Sequence, residues 1–331
     1  MSKPTPIRAL ARLAGQATLL LGAALALPCF AQTDYPNRPI SLVVGFPPGG
    51  SNDIVARIYA PKLSEVLGTQ VVVVNKPGSN ALIGTAFVAT SAPDGYTLTL
   101  GSASPLAISP STYAKMPFDV LKDLTGITTV ANTPELLALH PSVPARNLQE
   151  LLALSKTRRI NISSSGNGGL PHLAIELLRK AGTGEIVHVP FKGAGPAVTD
   201  TVGGHVDGIV VDIAPLVPFV RDGRLRGIAV TDSKRSSALP DVPTSVEQGA
   251  PNLLAFNWFA VMAPAKTPAP IIAKLHGALV KASTDKDLGE ALRKLGAEPM
   301  THASPEAFDQ FMREELDRWG KIAREAGARA D

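Results

Sequence analysis

Beyond Cys29 there is no cysteine anywhere in this chain. Cys29 sits in an expected leader. Once that is removed, internal disulfides, thiolate nucleophiles and thiolate metal sites are excluded, and burial alone must hold the fold together. Aromatic residues are 5% of the sequence and charged residues 18%. No basic block and no aromatic–basic interleaving occurs, so nothing supports a nucleic-acid partner. The six histidines are scattered, and His140, His188, His205, His276 and His302 have no evident partner in sequence. G-x-S-x-G and H-E-x-x-H are missing, as is any His–carboxylate cluster at metal-ligand spacing. The G-x-x-x-x-G-K-[ST] phosphate loop and the G-x-G-x-x-G dinucleotide fingerprint are missing too. No metal, no cofactor and no catalytic residue is expected.

Positions 1–31 read as a secretory signal: Lys3, Arg8 and Arg12, an uncharged apolar stretch from Leu13 to Leu27, then Cys29-Phe30-Ala31 at the cleavage positions. The stretch is short for a membrane span. Lipid attachment at Cys29 is disfavoured by Pro28. Cleavage after Ala31 removes three basic residues and no acid, so the formal charge of +4 falls to +1. Any preference for acidic ligands must come from local geometry. The roughly 300 residues that remain suffice for two domains of ordinary size.

Strand-like and helix-like segments alternate along this length. Ile40–Val44, a helix from Asp53 towards Leu67, Gln70–Asn75, a helix over Ile83–Thr90 and Tyr96–Leu100 spell βαβαβ, the grammar of a parallel sheet. Ile54, Ile58, Leu63, Val66 and Leu67 form the expected apolar face of the first helix, which Pro61 should kink or split. A second set follows: strands Leu136–Leu139, Ile160–Ser163, Ile186–Val189, Val206–Val211 and Arg226–Val230, with helices Asn147–Leu154, Pro171–Ala181 and Pro196–Val202. Phe256–Ala263 reads as a buried strand with Trp258 and Phe259 packed in the core. Ser304-Pro305-Glu306 opens a final helix whose stripe is Phe308, Phe311, Met312, Leu316 and Trp319. Two α/β units and a helical tail suggest a two-lobed α/β molecule.

The densest signal is Ile40–Asp53, I-S-L-V-V-G-F-P-P-G-G-S-N-D. A strand stops at a Pro–Gly turn and a helix opens, pointing unpaired N–H groups and a positive dipole end at one spot. The amides of Gly49, Gly50, Ser51 and Asn52 can cradle a carboxylate; equally, Ser51 or Asn52 can be a plain N-cap, with Asp53 complementing the dipole. Ser163–His172 repeats the geometry. Ser164, Ser165 and Asn167 are placed to reach a ligand, and His172 either donates to one or braces the turn. A looser third turn, Val189–Pro196, offers Lys192. Asp212, closing an apolar run, can bind a ligand amine or cap local amides, the second being favoured. Ligands in open α/β sheets sit at strand carboxyl ends, so the site is expected in the cleft between lobes.

These blocks, with Tyr35-Pro-Asn-Arg-Pro-Ile, Asn75-Lys-Pro-Gly, Ala92-Pro-Asp-Gly-Tyr-Thr-Leu, Ser164-Ser-Gly-Asn-Gly, His188-Val-Pro-Phe-Lys-Gly and Leu239-Pro-Asp-Val-Pro-Thr, resemble the Bug family of extracytoplasmic solute receptors. These are the periplasmic binding components of tripartite tricarboxylate transporters. The resemblance covers essentially the whole chain after the leader. It implies a two-lobed periplasmic-binding-protein (Venus flytrap, type II-like) fold, each lobe a mixed, mostly parallel sheet flanked by helices. Lobe 1 would take residues 32–131 and 255–331, lobe 2 residues 132–254, with crossings near Ile127–Thr133 and Asn252–Phe259. It also implies a periplasmic, monomeric, non-enzymatic receptor that captures a small carboxylate (a di- or tricarboxylate, amino acid or aromatic acid) and delivers it to integral-membrane permease subunits. By position, ligand contacts fall on Phe46, Gly49, Gly50, Asn52, Asp53, Ser165, Asn167, His172, Lys192 and Gly193; the loop Ser102–Ser109 adds Ser102 and Ser104. Departures from the family pattern include Asn80-Ala81 for a glycine pair, and Leu106, Ser109 and Ile213 for polar residues, which points to a more apolar pocket. The rivals are a sensor that signals to a membrane kinase, and an enzyme using Asp53, His172 and Asp212.

Overall fold

The computed structural model describes residues 35–330, so the expected leader at positions 1–31 lies outside the described residues. Strand β1 (Ile40–Val44) is buried at four of its five positions, as a strand covered on both faces requires. It pairs in parallel with β2 (Val71–Asn75) and with β3 (Thr97–Ser102). The crossovers are α1 (Ser51–Leu67) and α2 (Leu82–Ala89). A π-helical turn, Ser104–Ile108, runs into α3 (Ser109–Thr112), and α4 (Val120–Asp123) leads into β4 (Leu124–Leu139).

β4 ties the molecule together. Its first part pairs antiparallel with β9 (Phe256–Pro264), from Leu124 opposite Pro264 to Pro134 opposite Phe256. From Glu135 onward it pairs instead with β7 (Gly208–Asp212) and, on its other edge from Leu136, with β8 (Arg226–Val230). The second parallel set holds β5 (Ile160–Ser164), β6 (Ile186–Pro190) and β7, connected by α6 (Leu170–Lys180) and α7 (Ala194–Val202); α5 (Leu148–Leu154) precedes β5 and α8 (Val217–Arg221) precedes β8. The strands order as β2-β1-β3-β9-β4-β7-β5-β6. After β9 come α9 (Ala269–Ser283), α10 (Lys286–Arg293), the short β10 (Glu298–Pro299) and α11 (Pro305–Ala326).

Three expectations need correction. The strand expected over Leu136–Leu139 is only the end of β4; the segment Ile127–Thr133 is itself strand, its buried hydroxyls bonded to a distant loop, where Thr128 Oγ1 accepts the His302 amide (2.8 Å). Pro61 does not split α1, which is one helix of 17 residues. Its ring lies on the exposed side, where water can take the carbonyl it leaves free. The buried face of α1 is also rotated, to Val55, Ala56, Tyr59, Ala60 and Leu63, with Ile54 and Ile58 half-buried. Tyr59 turns this face: its hydroxyl donates to the Val130 carbonyl (2.5 Å) and lies 2.9 Å from Ser283 Oγ, so burying the ring satisfies its polar end.

α11 follows its sequence reading. Ser304 Oγ accepts the Ala307 amide (3.2 Å), and Phe308, Met312 and Trp319 are fully buried, with Phe311 and Leu316 half-buried. Trp258 is a core residue, as expected. What the apolar stripe does not announce is Glu315, 5% exposed, whose Oε2 accepts both the Trp258 (2.6 Å) and Trp319 (2.7 Å) indole N–H groups.

Candidate binding site in the cleft

Two helix starts face each other across the molecule. Gly50 caps α1 and Gly193 caps α7, neither with a side-chain hydrogen bond. The first-turn amides therefore remain available. A Cβ on Gly193 would lie 2.7 Å from Pro47 Cδ, one on Gly195 3.2 Å from the Pro48 carbonyl, and one on Gly50 3.7 Å from Ala194 Cβ. Glycine lets the two turns approach this closely.

Between them lies a small cavity of about 20 Å³, lined by Phe46, Gly50, Ser51, Asn52, Ser102, Ser104, Glu135, Ser165, Pro171, Ala194, Val211, Asp212 and Asn257. This floor of the cleft adjoins a larger space of about 660 Å³, which shares Phe46 and Ser165 with it and adds Asn80, Tyr113, Asn167, Lys192 and Gly193. That size suits a small organic ligand. At the rim, Ser79, Asn80 and Ala81 all hold positive φ (47°, 52° and 70°), a left-handed turn that costs about 1–2 kcal/mol per non-glycine residue.

Of the fifteen residues singled out in sequence, eight line the floor: Phe46, Gly50, Ser51, Asn52, Ser102, Ser104, Ser165 and Asp212. Asn167, Lys192 and Gly193 line the outer space. Four serve the protein's own loops. Asp53 accepts the Gly49 amide (3.0 Å), Arg57 Nε (2.9 Å) and Asn75 Nδ2 (2.9 Å), which ties down both Gly49 and its own carboxylate. Burial alone would raise the Asp53 pKa; the bonds from Arg57, Gly49 and Asn75 outweigh it and hold the group below its ordinary value. Ser164 Oγ is bonded to His188 Nε2 (2.5 Å). His172 Nδ1 accepts the Gly168 amide (3.0 Å), so this histidine braces its loop. Asp53 and His172 thus stand outside the lining of the cavity that Asp212 lines.

The second turn is also more closed than its donor-rich sequence implies. The Leu170 amide donates to Ser104 Oγ (3.0 Å), and the Gly168 carbonyl accepts from Thr112 Oγ1 (2.8 Å). Its opening amides therefore clip α6 to the π-helical turn and α3.

The residues that sequence reasoning missed are Glu135 and Asn257. Asn257 Nδ2 donates to both Asp212 oxygens (3.0 and 3.2 Å), and its Oδ1 accepts the Ala103 amide (3.1 Å). Glu135 is fully buried, opposite Asp212 in the β4–β7 register. Asn257 could be found as the polar exception in an apolar run; Glu135 lies just outside the strand read at Leu136–Leu139 and was not singled out.

Behind the floor, His172 and His188 stack with ring centroids 4.3 Å apart. Burial, then the adjacent His172, depress the His188 pKa to about 3. An unfolded histidine titrates near 6.5. Between these values the unfolded chain binds the extra proton, so this group's stabilisation is present above pH ~6.5 and is lost as pH falls towards 3. The slope should approach about 1.4 kcal/mol per pH unit, one proton's worth. Denaturant titrations of wild type and His188→Gln from pH 4 to 7 check this: the variant should lose about one proton of slope, and parallel curves would refute the assignment.

Comparison with known proteins finds relatives along nearly the whole chain. Residues 55–328 match the model of the tripartite tricarboxylate transporter family receptor. Protein BugT of Bordetella pertussis is 40% identical over 310 residues, covering 93% of this chain and 94% of that protein. A solved structure described as a periplasmic transporter superposes with TM-score 0.86 at 35% identity, over 90% of this chain and all of the other. R. palustris Rpa4515, solved with adipate, gives TM-score 0.86 at 32% identity over 89% and 99%.

Proposed function

Since the chain belongs to the tripartite tricarboxylate transporter receptor family, a family of periplasmic solute-binding receptors, we propose that it closes its cleft around a small carboxylate and passes it to membrane permease subunits. The observation that carries the reading is the pair of uncapped helix starts at Gly50 and Gly193, set against one another over a polar cavity. The bound adipate of a relative supports the ligand class. The lobes would divide within β4 and just ahead of β9, residues 32–131 and 255–331 forming one and residues 132–254 the other. The monomer delivers ligand; export leaves it in the periplasm after cleavage near Ala31.

The energetics demand cooperation between lobes. Micromolar binding needs about −8 kcal/mol, whereas one helix terminus supplies at most ~2 kcal/mol. Amides of Ser51, Asn52 and Ala194, with the hydroxyls of Ser104 and Ser165 and the cation of Lys192, must act together, and they do so only when the turns meet. Donors fixed in advance keep the ordering cost low.

Thermal unfolding of the leader-free protein against a panel of mono-, di- and tricarboxylates, amino acids and aromatic acids tests this. A true ligand at a hundredfold excess over its Kd adds about 2.7 kcal/mol, which raises Tm by several degrees in a protein of this size. A panel without any stabilising carboxylate refutes the proposal.

A further inference from the structure

The floor of the cleft carries acceptors where a carboxylate receptor would be expected to carry donors. Glu135 and Asp212 face each other across β4 and β7. No N–H or O–H of the described residues reaches either oxygen of Glu135, and the hydroxyls of Ser51 and Ser102 also lack a partner of good geometry. These three side chains are 0%, 4% and 1% exposed. All line the same cavity. Asp212 has Asn257 as a donor and Ser51 beside it; Glu135 has only the carboxyl of Asp212, itself an acceptor. Buried polar atoms in native proteins are nearly always satisfied, so a cluster of buried oxygens around one void, short of donors, marks a place for a donor group.

Resting on the carboxylate reading above, we infer that this floor is an ammonium subsite and that the ligand is an aminocarboxylate. Its carboxylate meets the amides at the starts of α1 and α7, while its –NH3+ group donates to Glu135, Asp212 and the Ser51 or Ser102 hydroxyl. An ammonium has three donors and no acceptor, matching a floor of carboxylate and hydroxyl oxygens. The void holds about one non-hydrogen atom's worth of ligand, and the remainder of the molecule occupies the outer space. The helix starts (Gly50, Ser51, Asn52 and Ala194) and the acids Glu135 and Asp212 line one small cavity, which requires amine and carboxylate on the same or neighbouring carbons.

The same arrangement explains how the empty protein tolerates two buried acids. Burial, then the charge of Asp212, then contact with it, push Glu135 well above the usual carboxylate range. Burial raises Asp212 as well, so the pair favours sharing one proton until an ammonium replaces it. Among the described residues no other titratable group lines the cavity: α1 contributes Ser51 and Asn52, β3 Ser102, the π-helical turn Ser104, β5–α6 Ser165 and Pro171, and β9 Asn257.

Calorimetric titration with matched pairs tests the inference: L-aspartate against succinate, L-glutamate against glutarate, L-leucine against 4-methylpentanoate, L-phenylalanine against 3-phenylpropanoate. At least one amino acid should bind 100-fold or more tighter than its deaminated partner, with about one proton released near pH 7 when heats are compared in two buffers. Glu135→Gln and Asp212→Asn should each cut that preference at least tenfold. Deaminated acids binding as tightly as their partners would overturn the ammonium subsite and leave the receptor reading standing. Silence from both series overturns both.

Discussion

Gly193→Ala is expected to weaken carboxylate binding about 30- to 100-fold. Gly193 holds φ +118° at the start of α7, a conformation that costs a residue with a Cβ about 1–3 kcal/mol. The added methyl would also stand 2.7 Å from Pro47 Cδ, in the facing turn. Pro47 belongs to a rigid ring, so the turns themselves must part. Parting separates the two sets of amides that have to act at once, and a loss of 2–3 kcal/mol corresponds to the stated factor. Gly195→Ala is the control. Its backbone is not left-handed, and its Cβ would meet only the Pro48 carbonyl at 3.2 Å, so a loss under tenfold is expected. Calorimetry on both variants decides: equal affinity losses would show that the approach of the turns does not matter.

That dependence on approach also explains what could be read in the sequence. The βαβαβ order, the buried strand at β9, the capped start of α11 and the turn at Gly45–Asp53 are local patterns, each set by neighbours a few residues apart. The structure keeps all of them. The pairing of Glu135 with Asp212 is different: the two residues are 77 positions apart, and only the β4–β7 register brings them together. Glu135 stands just ahead of an apolar run, but nothing local to it says what faces it. Asp53 fails in the opposite sense. Its place in a glycine turn suggests a ligand contact, yet Arg57 and Asn75 are close enough to take its oxygens. His172 likewise has its Nδ1 occupied by the Gly168 amide four residues earlier. Sequence patterns located the turns that face the cleft; which side chains are free within them depends on hydrogen bonds that tertiary packing decides.

Glu315→Leu is expected to destabilise the unliganded protein by about 3–5 kcal/mol, lowering Tm by roughly 10 °C. The leucine fits the surrounding apolar space but leaves two indole N–H groups, on Trp258 and Trp319, buried without an acceptor. Each such group costs about 1–3 kcal/mol. Arg318, 3.1 Å from the other oxygen of Glu315, loses its partner as well. Glu315→Gln retains one acceptor oxygen, so a loss nearer 1–2 kcal/mol is expected. The consequence extends to the cleft, because neighbouring residues on a strand point to opposite faces. Trp258 anchors β9 on the core side through Glu315, and Asn257, one residue earlier, holds Asp212 and the Ala103 amide on the cleft side. Loosening the anchor should therefore weaken ligand binding more than a distant core variant of equal cost, such as Leu279→Ala in α9, does. Urea denaturation and titration of both variants measure the two effects; equal loss of binding at equal loss of stability would show that the anchor and the floor are uncoupled.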